Sequence, residues 1–238
     1  MKYATLLLIV LTVSNTSFKS IESPFPDALN GAWYLKEGTS EQVMSFVDGF
    51  FVHTLFDKAN KKFAYTWGGP YEFTGNAIKV QVQFHTKDKT PIGTSVEIPA
   101  KLSGSKLELM MEDRRINYSQ IDKGAGGLAG AWWISGRKQG DQISERALNP
   151  RRTLKILTGS RFQWAAINID TKEFFGTGGG NYTFKDGKYT ENIEFFSRDS
   201  TRVGASLSFD GKVEDGAWHH SGLSSRGDPI YEIWRKLK

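Results

Sequence analysis

The chain has no cysteine. That excludes disulfides, thiolate metal ligands, cysteine nucleophiles and the lipid-bearing cysteine that follows a bacterial lipoprotein leader. Segments with a helical period are almost missing, and methionines number only four, so a helical bundle fits poorly. No apolar run reaches the ~20 residues that a bilayer-crossing helix needs. Basic residues are not clustered: the short runs are Lys61-Lys62, Arg114-Arg115 and Arg151-Arg152. A nucleic-acid surface requires a basic stripe, so no nucleic-acid partner is expected. Two-histidine helical motifs and carboxylate clusters are also lacking, so neither a catalytic metal nor a cofactor is expected. Gly176-Thr177-Gly178-Gly179-Gly180 lacks the Lys-Ser/Thr of a phosphate loop and leads into a strand, which reads as a bulge or tight turn. No Gly-x-Ser-x-Gly elbow marks a hydrolase nucleophile.

What the chain does hold is glycine and large aromatics: 25 Gly, 16 Phe, eight Tyr and seven Trp in 238 residues. This is the composition of a turn-rich β protein with aromatic cores. Residues 1–20 read as a secretory signal peptide: Met1-Lys2 is a positive start, Tyr3 to Val13 an apolar run, and Ser14 to Ser17 small and polar. The expected compartment is periplasmic or extracellular, with no membrane span after leader removal. Lys2 and Lys19 lie in or near that leader, so the mature charge is closer to neutral than the formal +5.

The sequence repeats itself. Leu29-Asn30-Gly31-Ala32-Trp33-Tyr34 returns as Leu128-Ala129-Gly130-Ala131-Trp132-Trp133, and Gly68-Gly69-Pro70-Tyr71-Glu72-Phe73 returns as Gly179-Gly180-Asn181-Tyr182-Thr183-Phe184. The offset grows from 99 residues at Gly31/Gly130 to 111 at Tyr71/Tyr182 and Gly93/Gly204. An early insertion in the second copy follows. Units of this length are domains, not solenoid repeats. The expected domains are 27–122 and 128–238, joined by a flexible Lys123-Gly124-Ala125-Gly126-Gly127 linker.

Both copies alternate apolar and polar residues as strands do, for example over Lys79 to Phe84 and Tyr189 to Phe195. Hairpin turns are expected at Lys185-Asp186-Gly187-Lys188 and at Asp210-Gly211. A helical or irregular piece is expected at Thr39 to Met44 and at Gln139 to Pro150. Turns about every ten residues imply an antiparallel meander, closed into a barrel or folded as a sandwich.

Gly-x-Trp at the head of such a meander resembles the lipocalin and calycin barrels. The longer series in the second copy, from Lys155-Ile156-Leu157-Thr158-Gly159 through Trp218-His219-His220-Ser221-Gly222 to Glu232-Ile233-Trp234, is similar to lipocalin-like domains of exported Bacteroidetes-type proteins. The resemblance covers all of the second copy and the first more faintly. It implies an all-β fold of two tandem antiparallel lipocalin-like barrels, with Trp33 and Trp132 as closed-end plugs. It also implies Arg235, beside Trp234, packing over Trp132, and a small apolar or amphipathic ligand in the barrel. The first copy departs from the pattern, with Tyr118 and Ser119 in the places of Trp234 and Arg235.

Within the second copy, Tyr189, Glu191, Ile193 and Phe195 share one strand face, expected to point inward. A carboxylate there needs a partner or becomes neutral; by alignment Val80 replaces it in the first copy. His219 and His220 face opposite sides, and one of them is expected to reach toward Glu191. Phe162, Trp164, Tyr182 and Trp218 are the candidate cavity aromatics. The expected function is a binder of a small hydrophobic or amphipathic molecule, mainly in the second barrel. The alternatives are an acid/base isomerase or hydrolase using a Glu/His pair, or a non-catalytic envelope or glycan interaction module. No catalytic residue is assigned, and composition leaves the oligomeric state open.

Overall fold

The computed structural model describes residues 28–111, 114–140, 142–224 and 226–237. The expected signal peptide lies outside the described residues. Nine strands form the first sheet: β1 (Gly31–Glu37), β2 (Ser40–Val47), β3 (Phe50–Asp57), β4 (Lys62–Phe73), β5 (Ala77–Gln81), β6 (Phe84–His85), β7 (Ser95–Ser103), β8 (Lys106–Met111) and β9 (Arg114–Asp122). The second holds β10 (Gly130–Gln139), β11 (Gln142–Glu145), β12 (Arg151–Leu157), β13 (Arg161–Asn168), β14 (Glu173–Lys185), β15 (Lys188–Phe196), β16 (Ser206–Glu214), β17 (Ala217–Leu223) and β18 (Pro229–Lys236). Pairing of β3 with β4 and of β10 with β18 closes each sheet into an eight-stranded antiparallel barrel, leaving β6 and β11 as side strands. An up-and-down barrel of eight strands is the lipocalin architecture, so the expected fold class is borne out.

Asp-Gly pairs turn three hairpins. Both residues adopt left-handed backbone at Asp48-Gly49, Asp186-Gly187 and Asp215-Gly216, with φ between 49° and 73°, as a two-residue hairpin demands. The turn expected at Asp210-Gly211 is instead mid-strand, where Gly211 pairs with His220 in β16–β17. The Asp215-Gly216 pair, five residues on, takes the reversal. The helical or irregular piece expected at Thr39 to Met44 is instead strand β2, bonded to both β1 and β3. Its alternation is hidden because one face meets the barrel interior and the other meets the second barrel. Of the helical or irregular piece expected at Gln139 to Pro150, residues 146–149 are irregular, while β11 folds back on β10 around Gly140.

The Gly-x-Trp element has the same geometry twice. Trp33 and Trp132 are buried, and each indole Nε1–H donates to the carbonyl four residues back, Leu29 and Leu128, at 2.9 Å. The Gly31 position is closed to a side chain by neighbouring backbone, and Gly130 holds a φ that L side chains rarely adopt. A Cβ at Gly31 (φ 115°) would lie 2.0 Å from the Asp122 carbonyl oxygen, and one at Gly130 (φ 147°) would lie 1.5 Å from Lys236 Nζ. That ammonium, not Arg235, covers Trp132, at 4.5 Å from the ring. Arg235 is exposed because strand alternation turns it outward between Trp234 and Lys236. Lys236 also donates to the Ala129 carbonyl, as Gln120 does to the equivalent Asn30 carbonyl in the first barrel.

The barrels pack on each other. Val47, Phe50, Val52 and Phe84 share one apolar cluster with Ala131, Leu154, Ile156, Ala165 and Ile167. Beside it, Gln163 accepts from Thr54 Oγ1 at 2.6 Å and donates to Thr66 Oγ1 at 2.9 Å and Thr177 Oγ1 at 3.0 Å, all buried. Glu194 joins Lys58 of the first barrel (3.1 Å) to Arg161 of the second (2.5 Å). The linker is tied down as well. The Asp122 carboxylate accepts from Gly124, Gly159 and Ser160 amides and from the Thr158 and Ser160 hydroxyls.

Candidate functional site

The second barrel is filled at its Trp132 end and hollow at the other. Trp132, Phe162, Tyr182, Tyr189 and Trp218 pack into one buried cluster, with Trp218 edge-on to Tyr189 at 5.0 Å. The Tyr182 hydroxyl donates to the Thr158 carbonyl at 2.6 Å. Phe162, Tyr182, Tyr189 and Trp218 are therefore floor and filling, and none of them borders the hollow space.

Above this floor sits a buried ion pair that the sequence reading missed on one side. Lys155 from β12 and Glu191 from β15 are 4% and 5% exposed, and their side chains meet at 2.7 Å. Tyr189 donates its hydroxyl to the same carboxylate oxygen at 2.9 Å; burial first, then the adjacent Glu191 charge, raises its pKa well above the ordinary phenol value. The Lys155 ammonium lies 5.0 Å from the Tyr189 ring, 5.1 Å from Trp218 and 5.2 Å from Trp234. Three aromatic faces and one carboxylate thus replace the water that the ammonium loses. The expected histidine partner of Glu191 is a lysine. Lys155 gave no signal because a Lys that follows Arg151 and Arg152 in the same strand reads as one more exposed charge.

Of the two adjacent histidines, His220 points inward and is 2% exposed. His219 points out and hydrogen-bonds Tyr231 at 2.9 Å, so it leaves the candidate ligand set. His220 Nδ1 is 3.5 Å from Glu232 Oε2, beyond a good hydrogen bond. Neither ring nitrogen has a hydrogen-bond partner among the described residues. Burial, then the Lys155 charge, lowers the His220 pKa against the opposing pull of Glu232 and Glu191, so the ring is neutral at neutral pH. Burial pushes Glu232 up, but His220, Lys155 and Arg137 outweigh it and hold the carboxyl below its usual range. Arg137 at the barrel mouth closes the string with a 3.0 Å pair to Glu232.

These groups line one side of a cavity of about 360 Å³, whose other walls are Trp164, Ile193, Phe196, Leu207, Phe209, Ile230 and Trp234, with Thr153, Ala166 and Ser224. Trp164, Glu191, Ile193 and His220 therefore stand where a ligand would touch them. Phe195 does not continue the inward face. A bulge opposite Gly179/Gly180 shifts the phase after Ile193, so Phe196 enters the barrel and Phe195 packs on Phe56 of the first barrel at 4.9 Å. Bulges of this kind re-aim one side chain and leave little trace in alternation.

The first barrel provides an internal control. Strand register places Met44 opposite Trp33 as Lys155 stands opposite Trp132. By the same logic Val80, Leu107, Leu109, Ile116 and Tyr118 occupy the places of Glu191, Trp218, His220, Glu232 and Trp234. Lys155, Glu191, His220 and Glu232 each have an apolar counterpart there. The first barrel keeps a different polar set around His53. Trp67 Nε1 donates to His53 Nδ1 at 3.1 Å. An indole only donates, so the proton sits on His53 Nε2, which faces Gln42 Oε1 at 3.1 Å.

No family model matches the chain, and no curated protein matches it. Among solved structures it is similar to a lipocalin-like protein from Bacteroides uniformis, at 16% identity and a TM-score of 0.33. The alignment covers 47% of this chain and all of that one. The meander and its closure, not that alignment, assign the fold here. No helix among the described residues is long and apolar enough to cross a membrane.

Proposed function

We propose that the protein is an exported carrier that holds one small, largely apolar molecule without covalent bonds in the second barrel. The observation that carries this reading is the cavity itself: about 360 Å³, within the ~300–1,000 Å³ range of small-molecule sites. Seven of its walls are aromatic or branched aliphatic side chains, and a few polar groups converge at one side. At ~30 Å³ per water-sized group the space suits a body of roughly a dozen heavy atoms. His220 offers a neutral ring whose nearest carboxylate, Glu232, stands off at 3.5 Å, which leaves the ring to orient a hydroxyl or carbonyl on the ligand. The first barrel, whose matching positions are aliphatic, acts as a packing partner.

The test is native mass spectrometry of protein purified from its own host, beside the Leu207→Trp variant, whose added ring fills the cavity. A stoichiometric small molecule on the wild type and none on the variant is the expected result. A folded wild type that stays empty when offered the host's small-molecule extract would overturn the reading.

A further inference from the structure

The cavity is charge-balanced inside and cationic at its rim, and this sets the chemistry of what enters. We propose that the ligand is an amphipathic oxyanion: its neutral body occupies the cavity, and its carboxylate, sulfate or phosphate head rests on arginines outside the mouth. The inference depends on the carrier reading above and adds the ligand class to it.

Inside, each formal charge already has its opposite. Lys155 meets Glu191 at 2.7 Å and Arg137 meets Glu232 at 3.0 Å. A further charge carried to that depth would be desolvated with no partner left to meet it, which is strongly unfavourable. Any charged group on the ligand therefore stays near water.

At the mouth, a second hollow of about 650 Å³ adjoins the first, with Arg137, Thr153 and Ala166 as common walls. Arg146, Arg151 and Arg152 border it. Glu145 lies on the same rim and Asp170 acts on Arg152 electrostatically, but none of the three arginines makes an ion-pair contact among the described residues. Two of them are already held in place. The Arg151 guanidinium lies 3.9 Å from the Phe175 ring, and Arg152 Nε donates to the Asn149 carbonyl at 2.7 Å. Anchored guanidiniums lose little freedom on meeting an oxyanion, and their planar fork matches its geometry. The first barrel again serves as control: Ser40 and Glu41 occupy the positions of Arg151 and Arg152, and Glu41 accepts from Tyr34 at 2.7 Å.

The experiment titrates the full chain with decanoate, 1-decanol and decyltrimethylammonium, following tryptophan fluorescence at low salt. Decanoate is expected to bind at least tenfold more tightly than decanol, with the cation weakest. In the R151Q/R152Q variant decanoate should fall to within threefold of decanol, while decanol is unchanged. Equal wild-type affinity for decanoate and decanol, or a decanoate preference that survives R151Q/R152Q, overturns the oxyanion and leaves the carrier reading standing. If none of the three binds, or if decanol binding survives Leu207→Trp, both readings fall.

Discussion

At Lys155 and Glu191 the energetic question is which partner depends on which. Removing one member of a buried pair strands the other charge in a low-dielectric interior, at a cost of about 3–5 kcal/mol, whereas replacing both with apolar groups of similar volume is often neutral. The first barrel has made that replacement, with Met44 and Val80 in the equivalent places. Lys155→Met or Glu191→Val alone should each destabilise by about 3–5 kcal/mol, while the double variant should recover most of the loss. Chemical denaturation of the four proteins gives the coupling energy. Additive effects would show that the pair is not coupled as the 2.7 Å contact implies. A carrier that needs the pair for its ligand would fold as the double variant and bind poorly.

His53 makes a second residue-scale case, with a pH signature. It is fully buried and neutral, and burial, then nearby His85, lowers its pKa from 6.5 to about 4. Its Nδ1 must accept from Trp67, so protonation there also breaks a buried hydrogen bond. In the unfolded chain the ring titrates near 6.5, so below that pH the unfolded state takes up a proton that the native state refuses. Stability is then present above pH 6.5 and lost as pH falls toward 4. Between pH 6.5 and 5, before most carboxylates titrate, the loss from His53 amounts to about 2 kcal/mol. His220, also lowered by burial, adds a loss of the same sign. Denaturant midpoints measured across this window should slope less steeply in His53→Gln than in the wild type; identical slopes would refute the assignment.

At the scale of strands, the glycine runs are where backbones approach most closely. A Cβ at Gly69 would lie 1.9 Å from the Gln81 carbonyl oxygen, and one at Gly180 would lie 1.9 Å from that of Asn192. Both strands cross their neighbour with no room for any side chain, which explains why the run recurs in each copy. Gly180→Ala must push β14 off β15 and should be net destabilising, outweighing the ~0.5–1 kcal/mol by which Ala ordinarily stabilises a strand relative to Gly. Thermal melts will read this directly. Ala at Gly49 or Gly216, where a Cβ meets open space, should show only the smaller cost of a positive φ.

What the sequence revealed, and what it hid, also divides at this scale. Alternation and Asp-Gly turns sufficed for the β meander, and Gly-x-Trp for the closed ends. Features that break the period of two were invisible. The bulge that exchanges Phe195 for Phe196 is one. Strand β2, buried on both faces over Val43 to Val47 because a second barrel covers it, is another. Lys155 and Glu232 were hidden for a different reason: a charged residue in a strand reads as solvent-facing until the fold closes around it. Of the inward residues expected for a ligand, those near the open end line the cavity, while Tyr182, Tyr189 and Trp218 are consumed as filling. Periodicity records which face a residue takes, but not how far along the barrel it lies.

For the whole molecule, the joint between the barrels decides whether there are one or two folding units. The linker composition suggests independence, but Asp122 binds it to the β12–β13 turn, where Thr158, Gly159 and Ser160 all donate to one carboxylate. The apolar cluster across the joint takes residues from both barrels. Gln163 would exchange its bonds to Thr54 and Thr66 for water if the barrels parted, a net loss of about 0.5–1.5 kcal/mol each. Separating them would also expose Phe50, Phe84, Leu154 and Ile167, all within 2% of full burial, at about 1.5–3 kcal/mol per large side chain. The sum rivals the ~5–15 kcal/mol that stabilises a typical domain. Calorimetry of the full chain should therefore give a single unfolding transition with a van't Hoff enthalpy close to the calorimetric one. Residues 128–238 expressed alone should melt lower or aggregate through the uncovered β12–β13 face. Two resolved transitions, or an isolated second barrel as stable as the whole, would mean that the joint is a contact between finished domains.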